Sequence, residues 1–117
     1  MKKIIHVDNS DFFRKLMRTF LEGEGFEVED FAGADDANIA VQGGSAAMVI
    51  TGLQLAGVEG DAFVRKTLEG FPGPVIIVSS SIDAKKEVKL RGLGVKAAIG
   101  KSGDWQKALK PHLAAVK

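Results

Sequence analysis

Residues 46–61 read AAMVITGLQLAGVEGD. Ala46 to Thr51 is apolar until its last residue, the pattern of a strand covered on both faces. The run stops at Thr51-Gly52, and the chain turns through small residues. A helix is then predicted from Gly60 to Glu69, carrying Phe63, Val64 and Leu68. A buried strand, a short turn and a helix make one β–α unit. Working outward from it finds four more.

On the N-terminal side, Lys3 to Val7 reads as a first strand. Ser10 caps a helix whose apolar residues Phe13, Leu16, Met17, Phe20 and Leu21 fall at helical spacing, and Gly23 and Gly25 stop it. Phe26 to Phe31 is a second strand, polar enough for an edge, and Ala34 to Val41 a helix of small residues closed by Gly43-Gly44. On the C-terminal side, Pro72 and Pro74 mark a loop, Val75 to Val78 a fourth buried strand, and Asp83 a cap for a helix through Leu93. Val95 to Ile99 is a fifth strand. A last helix from Asp104 to Val116 contains Pro111 and carries Trp105, Ala108, Leu109, Leu113 and Val116 on one face. The expected fold is therefore α/β, a five-stranded parallel sheet with helices on both faces. Ligands in such sheets bind beyond the carboxyl ends of the strands. Those positions are Asp8-Asn9, Thr51-Gly52, Ser79-Ser80-Ser81 and Gly100-Lys101-Ser102.

The chain has 117 residues, with 45% hydrophobic and 26% charged, which suits one globular domain over 1–117. There are no cysteines, so neither disulfides nor thiolate metal sites arise. MKKIIHVDNS has too short an apolar stretch for a secretory signal, and no run is long enough to span a bilayer. These features suit the cytoplasm. Charge is uneven: residues 1–82 hold 7 Lys/Arg against 12 Asp/Glu, and residues 83–117 hold 9 against 3. A basic final third can meet an acidic partner. It lacks a helix-turn-helix pattern and interleaved aromatics, so direct nucleic-acid binding is not expected.

VDNSDFFRKLMRTFLEGEGFEV (7–28), LQLAGVEG (53–60), PVIIVSSS (74–81) and GLGVKAAIGKS (92–102) together resemble the receiver domain of bacterial two-component response regulators, of the chemotaxis-regulator type. The resemblance covers essentially the whole chain and implies a flavodoxin-like (βα)5 fold. In that family an aspartate at the end of the third strand accepts a phosphoryl group. Counting back from Gly60, which matches the glycine of the family's Asp-Gly turn, it falls on Gly52. The acidic pair after strand one, which helps to hold Mg²⁺, is Asp8 followed by Asn9. The hydroxyl after strand four matches Ser79, and the lysine after strand five matches Lys101. Ser102 stands for the proline after that lysine, Ala98 for an aromatic switch residue, Leu55-Ala56 for Met-Pro and Glu59 for the turn's aspartate.

A hydrogen on Cα cannot attack phosphorus, and one remaining carboxylate, Asp8, is a poor Mg²⁺ site. The side chain of Thr51 is expected to face a helix layer, since neighbouring strand residues point to opposite faces. The reading is a pseudo-receiver with no phosphoacceptor, no metal and no cofactor, acting through protein contacts in signal transduction. The vestigial pocket is Asp8, Asn9, Gly52, Ser79 and Lys101, with Lys101 either fixed in a salt bridge to Asp8 or a solvated surface lysine. The resemblance places the partner or dimer face on the last two helices and the fifth strand, which carry Lys85, Lys86, Lys89, Arg91, Lys96, Lys107 and Lys110. The alternative is a small-anion or metabolite sensor that uses the space above Gly52, lined by Ser79, Lys101 and Asn9. An enzyme is not expected: there is no Ser/His/Asp set, and the GKS of residues 100–102 lacks the preceding glycine of a phosphate loop. His6 and Trp105 read as core. Receivers are often one part of a longer chain, so an output domain beyond Lys117 is an open expectation.

Overall fold

The computed structural model describes residues 1–55 and 60–117. Ten elements alternate: β1 Lys3–Val7, α1 Asp11–Gly23, β2 Glu27–Phe31, α2 Ala34–Gln42, β3 Ala46–Thr51, α3 Gly60–Gly70, β4 Val75–Ser79, α4 Ala84–Leu93, β5 Ala97–Gly100 and α5 Trp105–Val116. The strands form one parallel sheet in the order β2-β1-β3-β4-β5, the doubly wound flavodoxin-like order.

Alternation along the central strands divides the core into two layers. Ile5, Val7, Val49 and Ile77 pack against Ala34, Ala37 and Val41 of α2, Phe63 and Val64 of α3, and Leu90 of α4. Ile4, Met48, Ile50, Ile76 and Val78 pack against Phe13, Met17 and Leu21 of α1 and Trp105, Leu109 and Leu113 of α5. Both faces of β1, β3 and β4 are thus buried, which is why these segments are continuous apolar runs.

Local chemistry sets the boundaries. The Ser10 hydroxyl accepts from Phe13 N at 3.2 Å and starts α1, and Asp83 accepts from Lys86 N at 2.7 Å and starts α4. Gly94, at φ 121°, ends α4 in a backbone region that side chains avoid. At Gly60 a Cβ would fall deep inside the backbone of Leu53, so only glycine fits at that position.

Strand boundaries and two stripe positions differ from the sequence reading: β2 begins at Glu27 rather than Phe26, and β4 runs on to Ser79. β5 begins at Ala97 rather than Val95, because its register is set by pairing of Ile76 with Ala97 and Ser79 with Gly100. Leu16 falls on the predicted stripe yet is 39% exposed on the flank of α1. Ala108 is likewise exposed, since α5 buries only Trp105, Leu109 and Leu113.

Candidate functional site

The carboxyl ends of β1, β3, β4 and β5 converge because the strands are parallel and in register, with Val7 opposite Thr51 and Ser79 opposite Gly100. Gly52 N donates to Val7 O at 2.8 Å and Asp8 N to Phe31 O at 3.0 Å, so both strands continue one residue further. Asp8 and Gly52 therefore lie side by side.

The Asp8 side chain turns inward and is almost fully buried. Oδ1 accepts from Ser10 N at 2.9 Å, and Oδ2 accepts from Lys101 Nζ at 2.9 Å. The ammonium also sits 4.1 Å from the centre of the Phe13 ring, a cation–π position. Lys101 is anchored at its backbone, where its N donates to Ser79 O at 3.0 Å. Arg14 Nη1 donates to the carbonyl of Asp8 at 2.6 Å and braces the β1–α1 turn. Of the two readings of Lys101, the geometry shows the salt bridge to Asp8.

Gly52 explains how that bridge fits. A Cβ at position 52 would lie 2.8 Å from Asp8 Oδ2 and 3.6 Å from Val78 O. The space a side chain would need is filled by the Asp8 carboxylate itself. The neighbouring Thr51 hydroxyl donates to Gly52 O at 2.9 Å and is buried on the same sheet face as Val49, towards α2 and α3. It does not enter the space above Gly52, as alternation predicts.

The remaining pocket residues are less tightly gathered. Ser79 is buried, and its hydroxyl pairs with Ser81 Oγ at 3.2 Å and accepts from Ser81 N at 3.3 Å. It joins Lys101 through the backbone only. Asn9 is exposed. Ala56 and Glu59 lie outside the described residues. Sequence reasoning missed Ser10, Phe13 and Arg14 as supports of Asp8 and Lys101. Their signal was faint: each occupies a place in α1 that capping or core packing already accounts for.

Below the pair lies His6, fully buried, with neither ring nitrogen hydrogen-bonded and its ring edge-on to Phe13 at 5.9 Å. Burial pushes its pKa down to about 4, against the opposing pull of Asp8 and Asp30. It is a neutral core residue, as expected, and not a base.

Mg²⁺, which the family resemblance implies, takes several hard oxygen ligands. Among the described residues no group of three His, Cys, Asp or Glu is placed to hold a metal. The oxygens of Asp8 are already engaged by an ammonium and an amide. These residues do not fit the ion.

Residues 4–111 match the family model described as the response regulator receiver domain. The chain belongs to the response regulator receiver family. The receiver domain is 33% identical over 84 residues to the C4-dicarboxylate transport transcriptional regulatory protein DctD of Rhizobium meliloti (strain 1021), a match covering 71% of this chain and 18% of that protein. It therefore spans under a fifth of that relative's length. Among solved structures it resembles a CheY-like receiver domain protein from Methanospirillum hungatei, with TM-score 0.87, 22% identity and coverage of 99% and 94% of the two chains. It also resembles the BeF3-activated N-terminal receiver domain of Klebsiella pneumoniae RstA, with TM-score 0.88, 18% identity and coverage of 98% and 97%. At these identities the structural likeness speaks for the fold. Receiver domains are signalling modules of two-component systems. Among the described residues no helix is long and apolar enough to cross a membrane.

Proposed function

We propose that this receiver domain signals without accepting a phosphoryl group, through contacts with an acidic protein partner. One observation carries the reading: Asp8 Oδ2 lies 2.8 Å from where a Cβ of residue 52 would stand. The same oxygen is taken by Lys101 Nζ at 2.9 Å. Position 52 supplies no nucleophile, and the groups that would face a phosphoryl there are paired with each other. Phosphoryl transfer relies on an in-line nucleophile and cations free to neutralise the equatorial oxygens. Here the nucleophile is absent and the cation is committed. The Asp8–Lys101 pair then acts as a fixed bolt between β1 and the β5–α5 loop and holds one state. Asn9, Gly52 and Ser79 complete this vestigial pocket.

The partner surface includes Lys85, Lys89, Lys96 and Lys107, all exposed on α4, α5 and the turn before β5. Such a cluster steers an acidic partner towards the domain. An anion sensor in the space above Gly52 is the weaker reading, because the group already there is a carboxylate, which repels anions.

Incubation with a small phosphodonor and Mg²⁺ tests the proposal by intact mass. The expected mass is unchanged; a gain of one phosphate mapped within residues 48–61 contradicts it.

A further inference from the structure

The two edges of the sheet carry opposite charge. The strand order puts β2 at one edge and β5 at the other. α2 packs on β1, β2 and α3, while α4 packs on β5, and both cover the same core layer. From Thr19 to Val64, a stretch that includes β2 and α2, the chain contains no Lys or Arg. Glu29 there is paired with Lys3 and Asp30 with Arg18. Asp35 and Asp36 are exposed on α2 and form no ion pair among the described residues. On α4, Lys85, Lys89 and Arg91 are exposed and are likewise unpaired among the described residues.

Each charged face has an apolar centre. Ile39 is 71% exposed and lies one turn after Asp35 and Asp36. Val88 is 71% exposed, with Lys85 one turn before it and Arg91 one turn after. A first-turn position accounts for the two aspartates, which favour the start of a helix. It does not account for Ile39, since α2 buries only Ala34, Ala37 and Val41. Nor does packing account for Val88, since α4 buries Leu90 alone.

The two faces sit at opposite edges of one molecule and cannot meet within it. Two α4 faces together would oppose cations, and two α2 faces would oppose carboxylates. Only α2 of one copy against α4 of another matches both charge and apolar centre. We infer that a second copy of this chain docks in this way, with Ile39 against Val88 and Asp35 and Asp36 against Lys85 and Arg91. Both helices lie on one layer, so a two-fold pair makes the contact twice. The inference rests on the interaction reading above and deepens it: the acidic partner is the chain itself. Half of the surface is α2, which lies outside the basic face of the last two helices and β5.

Sedimentation equilibrium of the intact protein over a range of concentrations reads the association. The expected average mass rises with concentration towards two copies at low salt and falls back as salt rises. The double variants Asp35→Lys/Asp36→Lys and Lys85→Glu/Arg91→Glu each lose at least about tenfold in association, because like charges then meet. An equimolar mixture of the two regains it, which damage to folding could not produce. Ile39→Ser, at an exposed position, weakens association and leaves the melting temperature unchanged. A monomer at every concentration in low salt overturns this contact and leaves the interaction reading standing with another acidic partner. A mixture that stays monomeric overturns the pairing of α2 with α4. Association that appears only after treatment with a phosphodonor, with one phosphate gained, overturns both.

Discussion

Asp8 is a carboxylate at 3% exposure whose oxygens meet Ser10 N and the Lys101 ammonium, which itself rests on the Phe13 ring. Removing one partner of a buried pair costs more than the pair contributes, since the other charge is left unmatched. Lys101→Ala is therefore expected to lower stability by about 1–3 kcal/mol, read as a melting-temperature drop of roughly 5–15 °C. An unchanged melting temperature rules out the bolt. His6 lies beneath the pair, and its folded pKa of about 4 is below its ordinary 6.5 because of burial. Asp8 and Asp30 pull that value up, and Lys101 and Arg14 push it further down. Between those two values the unfolded chain binds a proton that the folded one does not, so stability falls as pH falls from 6.5 towards 4. The loss approaches about 3 kcal/mol over that window. Urea unfolding across it should show this slope in the wild type and lose it in His6→Leu; equal slopes would remove His6 from the account. The ends of β1, β2 and β3 were legible in the sequence, including the glycine at 52 that follows β3. That the Asp8 carboxylate fills the space above that glycine was not, because the contact joins residues 44 positions apart and depends on side-chain direction.

The helices differ in how firmly they are held. α1 buries Phe13, Met17 and Leu21, whereas α4 buries Leu90 alone and leaves Val88 71% exposed. A helix tied down by one side chain opens locally at low free energy, while one packed along its length opens only with the domain. Hydrogen exchange should therefore find amides in the middle of α4 exchanging well before those in the middle of α1; equal protection would contradict the packing argument. Element types were legible wherever period and caps agreed, as in β3, with its unbroken apolar run, and α1, with its Ser10 cap. The start of β5 was not, because Val95 is apolar and buried yet lies outside the strand, and only pairing with β4 sets where the ladder begins. The exposed side of α1 was half legible. Phe12 falls off the helical stripe that Phe13 begins, a misfit visible in the pattern, while Leu16 fits that stripe and is still 39% exposed.

At the scale of the whole molecule, the order β2-β1-β3-β4-β5 brings four strand ends together, and the family's phosphorylation site is built at that edge. In this receiver domain the same edge is closed by an internal ion pair over a glycine. The uneven charge of the sequence also takes shape here, with Lys85, Lys89, Lys107 and Lys110 exposed on α4 and α5. On the function proposed above, the module presents a surface rather than a reactive group. Beryllofluoride with Mg²⁺ mimics an acyl phosphate at a receiver's aspartate and tests this most directly. Amide spectra recorded with and without it should show no saturable shifts at Asp8, Gly52, Ser79 or Lys101. Saturable shifts at those four residues would mean that the site still takes a phosphoryl-like group, and would contradict the account.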